Sequence, residues 1–118
     1  MLIPLEDKIR DILGDYIYAD GEDATMQGTV VELLKKNQKS VAFAESCTGG
    51  LVAKKITDIA GASECFECGF VTYSNEQKKR CLGVKGDTLE KFGAVSAQTA
   101  LEMCKGARDR AEADRSCE

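Results

Sequence analysis

Ser40-Val41-Ala42-Phe43-Ala44-Glu45-Ser46-Cys47-Thr48-Gly49-Gly50 is the stretch on which the reading of this chain turns. Its first five residues are almost wholly apolar, which suits a parallel strand buried on both faces better than a half-exposed strand that alternates. Glu45 to Gly50 break that pattern, and Leu51, Val52, Ile56 and Ile59 restart one at helical spacing up to Gly61. Strand, glycine loop and helix in that order set the loop's backbone N–H groups at a helix N-terminus. Unpaired donors and the helix dipole there favour an anion or a developing oxyanion.

Downstream, Phe66 to Tyr73 reads as a second strand, rich in aromatic and β-branched residues and containing Cys68, with Cys65 just before it; both cysteines read as buried. The polar Ser74-Asn75-Glu76 ends it, and Gln77 to Leu82 forms a short helix. Asp87-Thr88-Leu89-Glu90 looks like a helix start and Gly93 a stop, while Ser96 is an N-cap for a last helix with Ala100, Met103, Cys104 and Ala107 on one face. Beyond Arg108 the chain is polar, and no further strand is expected. Upstream, Met26, Val30, Val31, Leu33 and Leu34 predict a helix over 25–37 that closes on Lys35-Lys36-Asn37. Leu5, Ile9, Ile12, Leu13 and Tyr16 predict a shorter amphipathic helix within 5–18, followed by the turn-prone Ala19-Asp20-Gly21-Glu22-Asp23. The expected architecture is α/β, a partial sheet flanked by helices, with an N-terminal helix and connector over 1–24 and the main domain over 25–118.

The 118 residues carry a net charge of -4, which argues against sequence-independent binding to nucleic acid. No apolar run approaches a membrane span, and Glu6 and Asp7 interrupt Met1-Leu2-Ile3-Pro4-Leu5 where a signal peptide needs an uncharged core. The expectation is a cytoplasmic protein with no membrane partner, in which the six cysteines are free thiols. Cys65-Phe-Glu-Cys68 has the spacing of a zinc half-site that Cys81, Cys47 or Cys104 could complete, but cysteine in a buried strand more often serves as a small hydrophobe. The chain has no histidine, so neither Ser-His-Asp nor Cys-His catalysis is open to it.

A serine nucleophile here needs a lysine or a carboxylate to take its proton. Lysine serves only as the neutral amine, and adjacent Lys78 and Lys79 give one of them a like charge that favours that form. On pattern alone Ser46 is first of all a helix cap, Lys78 and Lys79 surface residues, Tyr73 a strand residue, Cys47 a packing residue, Thr48 a cap and the glycines a turn. A phosphate loop is excluded, because Gly-x-x-x-x-Gly-Lys-Ser/Thr is absent.

Ala44-Glu45-Ser46-Cys47-Thr48-Gly49-Gly50, Gly61-Ala62-Ser63, Val71-Thr72-Tyr73-Ser74-Asn75-Glu76 with Lys78, Leu82-Gly83-Val84 and Gly93-Ala94-Val95-Ser96 resemble, in order and spacing, the C-terminal domain of the competence/damage-inducible CinA family. Leu13 to Tyr18 resembles the connector that precedes that domain. The resemblance implies a nicotinamide-nucleotide amidase, which hydrolyses the carboxamide of nicotinamide mononucleotide to nicotinate mononucleotide and ammonia, with no metal and no cofactor. It implies Ser46 as nucleophile, Lys78 as general base and Tyr73 as a further catalytic residue. Glu45, Cys47, Thr48, Gly49, Gly50 and Asn75 are implied on the substrate side, and a homo-oligomer as the assembly. The turn from Cys47 to Gly50 would hold the oxyanion.

Two departures stand out. Cys65 and Cys68 occupy positions where the family has an apolar residue and glycine. The family's domain also runs on from the position of Ala113-Asp114 into a strand, a Thr-Gly-Ile-Ala-Gly-Pro-type loop and further elements, whereas Arg115-Ser116-Cys117-Glu118 does not match that strand. The rival expectation is therefore a non-catalytic remnant that associates through an open sheet edge.

Overall fold

The computed structural model describes residues 2–113 and 115–117. Helix α1 (Leu2–Leu13) and a 3-10 turn (Gly14–Tyr16) lead into α2 (Met26–Lys36), strand β1 (Val41–Glu45) and α3 (Leu51–Thr57). A second 3-10 turn (Ala62–Glu64), β2 (Phe66–Val71), α4 (Asn75–Leu82), α5 (Gly86–Phe92), α6 (Ala97–Ala111) and β3 (Arg115–Cys117) complete the order. The sheet runs β2-β1-β3, and both neighbours lie parallel to β1. The fold is α/β, a small parallel sheet flanked by helices.

Every residue of β1 is buried, as a central parallel strand requires. Because side chains alternate, Val41 and Phe43 pack with Val31, Ile56, Ala62 and Cys65 on the α2/α3 side. Ala44 meets Leu82, Val84, Leu89, Met103 and Ala107 on the side of α4, α5 and α6. With only Ala42 and Ala44 on that second face, α6 lies close over the strand, and Met103 and Ala107 are completely buried. The caps follow the sequence: the hydroxyls of Thr25, Ser74 and Ser96 accept from the N–H groups of Gly28, Gln77 and Thr99.

Three expectations need correction. The predicted end of regular structure at the last helix gives way to β3, which pairs Arg115, Ser116 and Cys117 with Val41, Ala42 and Phe43. Pairing satisfies the backbone groups of the β1 edge whatever the side chains are, so a polar segment can still serve. Asp114, at the expected start of this strand, lies outside the described residues. Second, β2 is not uniformly buried: Glu67, Gly69 and Val71 are exposed, and Cys68 is half-buried while Cys65 lies just outside the strand. Its register slips by one residue between Val41↔Phe66 and Ala42↔Cys68. This bulge sends Phe66 to the α2/α3 face, where its ring stacks on Phe43 at 5.9 Å, and Phe70 to the face of Ala44. Third, α1 begins earlier than the spacing suggested, with Pro4 in its first turn, and Ile3, Leu5, Ile9, Ile12 and Leu13 are all exposed. Among the described residues no helix is long and apolar enough to cross a membrane.

At Gly106, α6 passes so close to α4 that a Cβ would stand 2.0 Å from the carbonyl oxygen of Leu82 at the end of α4. Alanine gains about 1 kcal/mol of helix propensity over glycine. An overlap with backbone outweighs it, since overpacking costs about 1–3 kcal/mol and sometimes more. Gly106→Ala is therefore expected to lower the urea midpoint of unfolding, by a net loss of about 1–2 kcal/mol or more.

Candidate active site

The end of β1 gives adjacent residues opposite tasks. Glu45 shares the face of Phe43 and turns toward α3, while Ser46 turns toward α4 and α6. The Glu45 carboxylate is only 2% exposed. It accepts the N–H of Val52 at 2.8 Å and of Ala53 at 3.1 Å, and the Thr48 hydroxyl and the Gly50 N–H stand near enough to favour its ionised form. Burial pushes its pKa up, but these donors to the ionised form outweigh burial and hold it below the ordinary glutamate value. Between strand and helix, Gly49 and Gly50 have φ of 62° and 101°, left-handed conformations that fit glycine and explain the pair.

Lys78 is 1% exposed, which is rare for lysine. Its Nζ lies 2.9 Å from Ser46 Oγ, 2.8 Å from the Thr72 carbonyl oxygen and 2.9 Å from that of Tyr73. The chain leaves β2 at Val71, presents two successive carbonyls, and turns at the Ser74 cap into α4, whose first turn brings Lys78 back over them. Lys79 points elsewhere: its Nζ lies 3.2 Å from Glu76 on an exposed face. The surroundings of the Lys78 amine are thus set by oxygens of the strand end, whereas Lys79, the expected like charge, is paired outside.

Ser46 and Lys78 open into a cleft of about 530 Å³ lined also by Cys47, Tyr73, Ala94, Val95, Ser96, Ala97 and Ala100. Tyr73 lines it with a side chain that is 75% exposed, and its carbonyl holds Lys78. The structure thus brings Ser46, Lys78, Tyr73 and Cys47 together. Glu45, Thr48, Gly49, Gly50 and Asn75 lie off the cleft lining; the first four build the turn, and Asn75 is the exposed first residue of α4. Of the turn's donors, the Gly49 N–H goes to the Ser46 carbonyl and the Gly50 N–H lies on the Glu45 side. Those of Cys47 and Thr48 have no acceptor among the described residues. An oxyanion on Ser46 would find its donors there and not at the first turn of α3, which Glu45 already fills.

A family model described as the CinA C-terminal domain matches residues 23–117. The chain belongs to this family. A protein of Thermoanaerobacter sp. (strain X514) that carries the competence-damage inducible name is 54% identical over 97% of this chain. A CinA-like protein of Kosmotoga olearia is 51% identical over the same share. The chain spans 27% of the length of each. Among solved structures, the competence/damage inducible protein CihA of Agrobacterium tumefaciens superposes with a TM-score of 0.74 at 46% identity, over 76% of this chain and 55% of that one. A CinA superfamily protein of Escherichia coli gives 0.74 at 30% identity, over 88% and 63%.

Within this CinA-family domain, sequence reasoning missed the Thr72 carbonyl and the wall formed by residues 94–97 and Ala100. The phrases Val71-Thr72-Tyr73 and Gly93-Ala94-Val95-Ser96 flagged both segments, but a role carried by a carbonyl oxygen or by small apolar side chains leaves no residue-type signal. The zinc alternative finds no support in the geometry: among the described residues no three His, Cys, Asp or Glu side chains gather in a metal-binding group. Cys65 is buried in the core with its thiol toward the Ala62 carbonyl, and Cys81 donates to Gln77.

Because folding lowers the Glu45 pKa, its ionised form contributes stability above the unfolded-state value, and this is lost as pH falls through the folded-state value. Thermal unfolding of the native chain and of Glu45→Gln is expected to differ most near neutrality. The gap should narrow from about pH 5 downward. A gap unchanged to pH 3 would mean that folding does not lower the Glu45 pKa.

Proposed function

We propose that this chain carries the catalytic face of a nicotinamide-nucleotide amidase, which hydrolyses the carboxamide of nicotinamide mononucleotide to nicotinate mononucleotide and ammonia. One observation carries the reading: Lys78 Nζ stands 2.9 Å from Ser46 Oγ at the wall of a cleft, in a chain without histidine. The substrate follows from the family phrases around those two residues.

A neutral amine has two N–H groups and one lone pair. In the neutral form that a general base needs, the N–H groups would stay on the carbonyls of Thr72 and Tyr73 and the lone pair would face Ser46. As Ser46 Oγ attacks the carboxamide carbon, its proton passes to Lys78, and the N–H groups of Cys47 and Thr48 receive the oxyanion. The ammonium then gives that proton to the departing nitrogen, ammonia leaves, and an ester remains on Ser46. Water attacks the ester with Lys78 again taking the proton, the carboxylate is released, and the proton returns to Ser46. Both half-reactions reuse one base.

A second reading, an association module without turnover, has one observation in its favour. The outer edge of β2 has no strand neighbour among the described residues, and Val71 and Tyr73 beside it are exposed. This edge could be covered by a second copy of the chain, giving the expected homo-oligomer.

Ammonia release from nicotinamide mononucleotide by the purified chain separates the two. Ser46→Ala is expected to abolish it, and Lys78→Ala to lower the rate by about 10²–10⁴-fold, the usual worth of a general base. Turnover that survives Ser46→Ala would overturn the nucleophile. Silence in every variant, together with dimers in sedimentation, would favour the association module.

A further inference from the structure

The loop that carries Ser46 is short, has two left-handed glycines, and is exposed from Cys47 to Gly49, so its shape needs an external constraint. Among the described residues, the Glu45 carboxylate is the one buried charged group that the reaction above does not use, and it lies one residue from the nucleophile. It accepts the N–H groups of Val52 and Ala53, and the Thr48 hydroxyl and the Gly50 N–H stand near enough to favour its ionised form, all C-terminal to Ser46. These contacts fold residues 46–50 back onto the strand end that β1 fixes in the core.

We infer that Glu45 is a positioning residue of the Ser46 nucleophile, its carboxylate clamping the 46–50 turn so that Ser46 Oγ meets Lys78 while the N–H groups of Cys47 and Thr48 stay unpaired. The inference rests on the amidase reading for its reaction, but the clamp can be tested without turnover. Glu45 does not line the cleft, so it touches no substrate and acts only through the turn. It also closes the first turn of α3 to outside anions, which directs a negative charge to the Ser46 side of the loop. Neither a general cap nor a substrate contact has this signature, since a cap shifts stability alone and a substrate contact shifts KM.

The test compares the native chain with Glu45→Gln, which keeps the side chain's shape but replaces one acceptor oxygen by a donor. Expected are an unchanged far-UV spectrum, loss of hydrogen-exchange protection at Val52 and Ala53, and a kcat for nicotinamide mononucleotide lowered roughly 10- to 100-fold with KM within about twofold, as small misplacements of reacting groups produce. A native kcat, or equal protection, would overturn the clamp; a change confined to KM would make Glu45 a substrate contact. If the native chain releases no ammonia, the amidase reading fails separately. Labelling of Ser46 by a fluorophosphonate, followed by mass spectrometry, then judges the clamp: slower labelling in Glu45→Gln supports it and equal rates overturn it. Should Glu45→Gln not fold, Thr48→Val, which removes one exposed hydroxyl near the carboxylate, is expected to slow the same labelling, and an unaltered rate would count against the clamp.

Discussion

The alternation of side chains at the end of β1 is the constraint on which the rest of this structure depends. A strand buried on both faces must send successive residues to opposite layers, so Glu45 and Ser46 cannot share surroundings. One enters the α2/α3 layer, where a buried charge persists only if donors gather around it, and the start of α3 supplies them. The other enters the α4/α6 layer, where the small Ala42 and Ala44 let α6 come close and its N-terminal segment become a cleft wall. A slip of one residue in β1 would exchange these roles, putting the carboxylate beside Lys78 and the hydroxyl under α3.

Lys78 answers the same constraint from the neighbouring strand. β2 pairs Val71 with Glu45, and the next two residues present their carbonyls at the level of Ser46. The two carbonyls and the hydroxyl give the buried amine three oxygens at the wall of the cleft, so its orientation is set largely by backbone. Charged surface residues do not enter into it: Lys79, next in sequence, pairs with Glu76 outside. An amine held by main-chain groups is less exposed to substitution nearby than one oriented by a side chain, since any residue at positions 72 and 73 supplies the same carbonyl.

Much of this was legible in the sequence because it depends on residue type. The apolar run 41–44, the glycine pair, the cap at Ser96 and the absence of histidine each carry a local physical signal, and the structure is consistent with each of them. What escaped depends on backbone or on distance. The bulge at the start of β2 comes from register against β1, and the β3 pairing from an edge that accepts any extended segment. The Thr72 carbonyl has no side-chain signature at all. Glu45 was visible as part of a phrase, but its carboxylate could be aimed at the cleft or at the helix until the face of β1 was known.

The donors around Glu45 also bear on why a glycine loop before a helix need not bind an anion from outside. Such a loop presents the free N–H groups of the first helical turn, and in many folds a phosphate takes them. Here the preceding residue supplies the negative charge from within the chain, at the cost of burying a carboxylate that the donors then offset. The N–H groups left over are those of Cys47 and Thr48, next to the serine rather than along the helix axis. One internal charge therefore leaves the loop's free donors beside Ser46 rather than at the helix end, where the proposed acyl transfer would use them and phosphate binding would not.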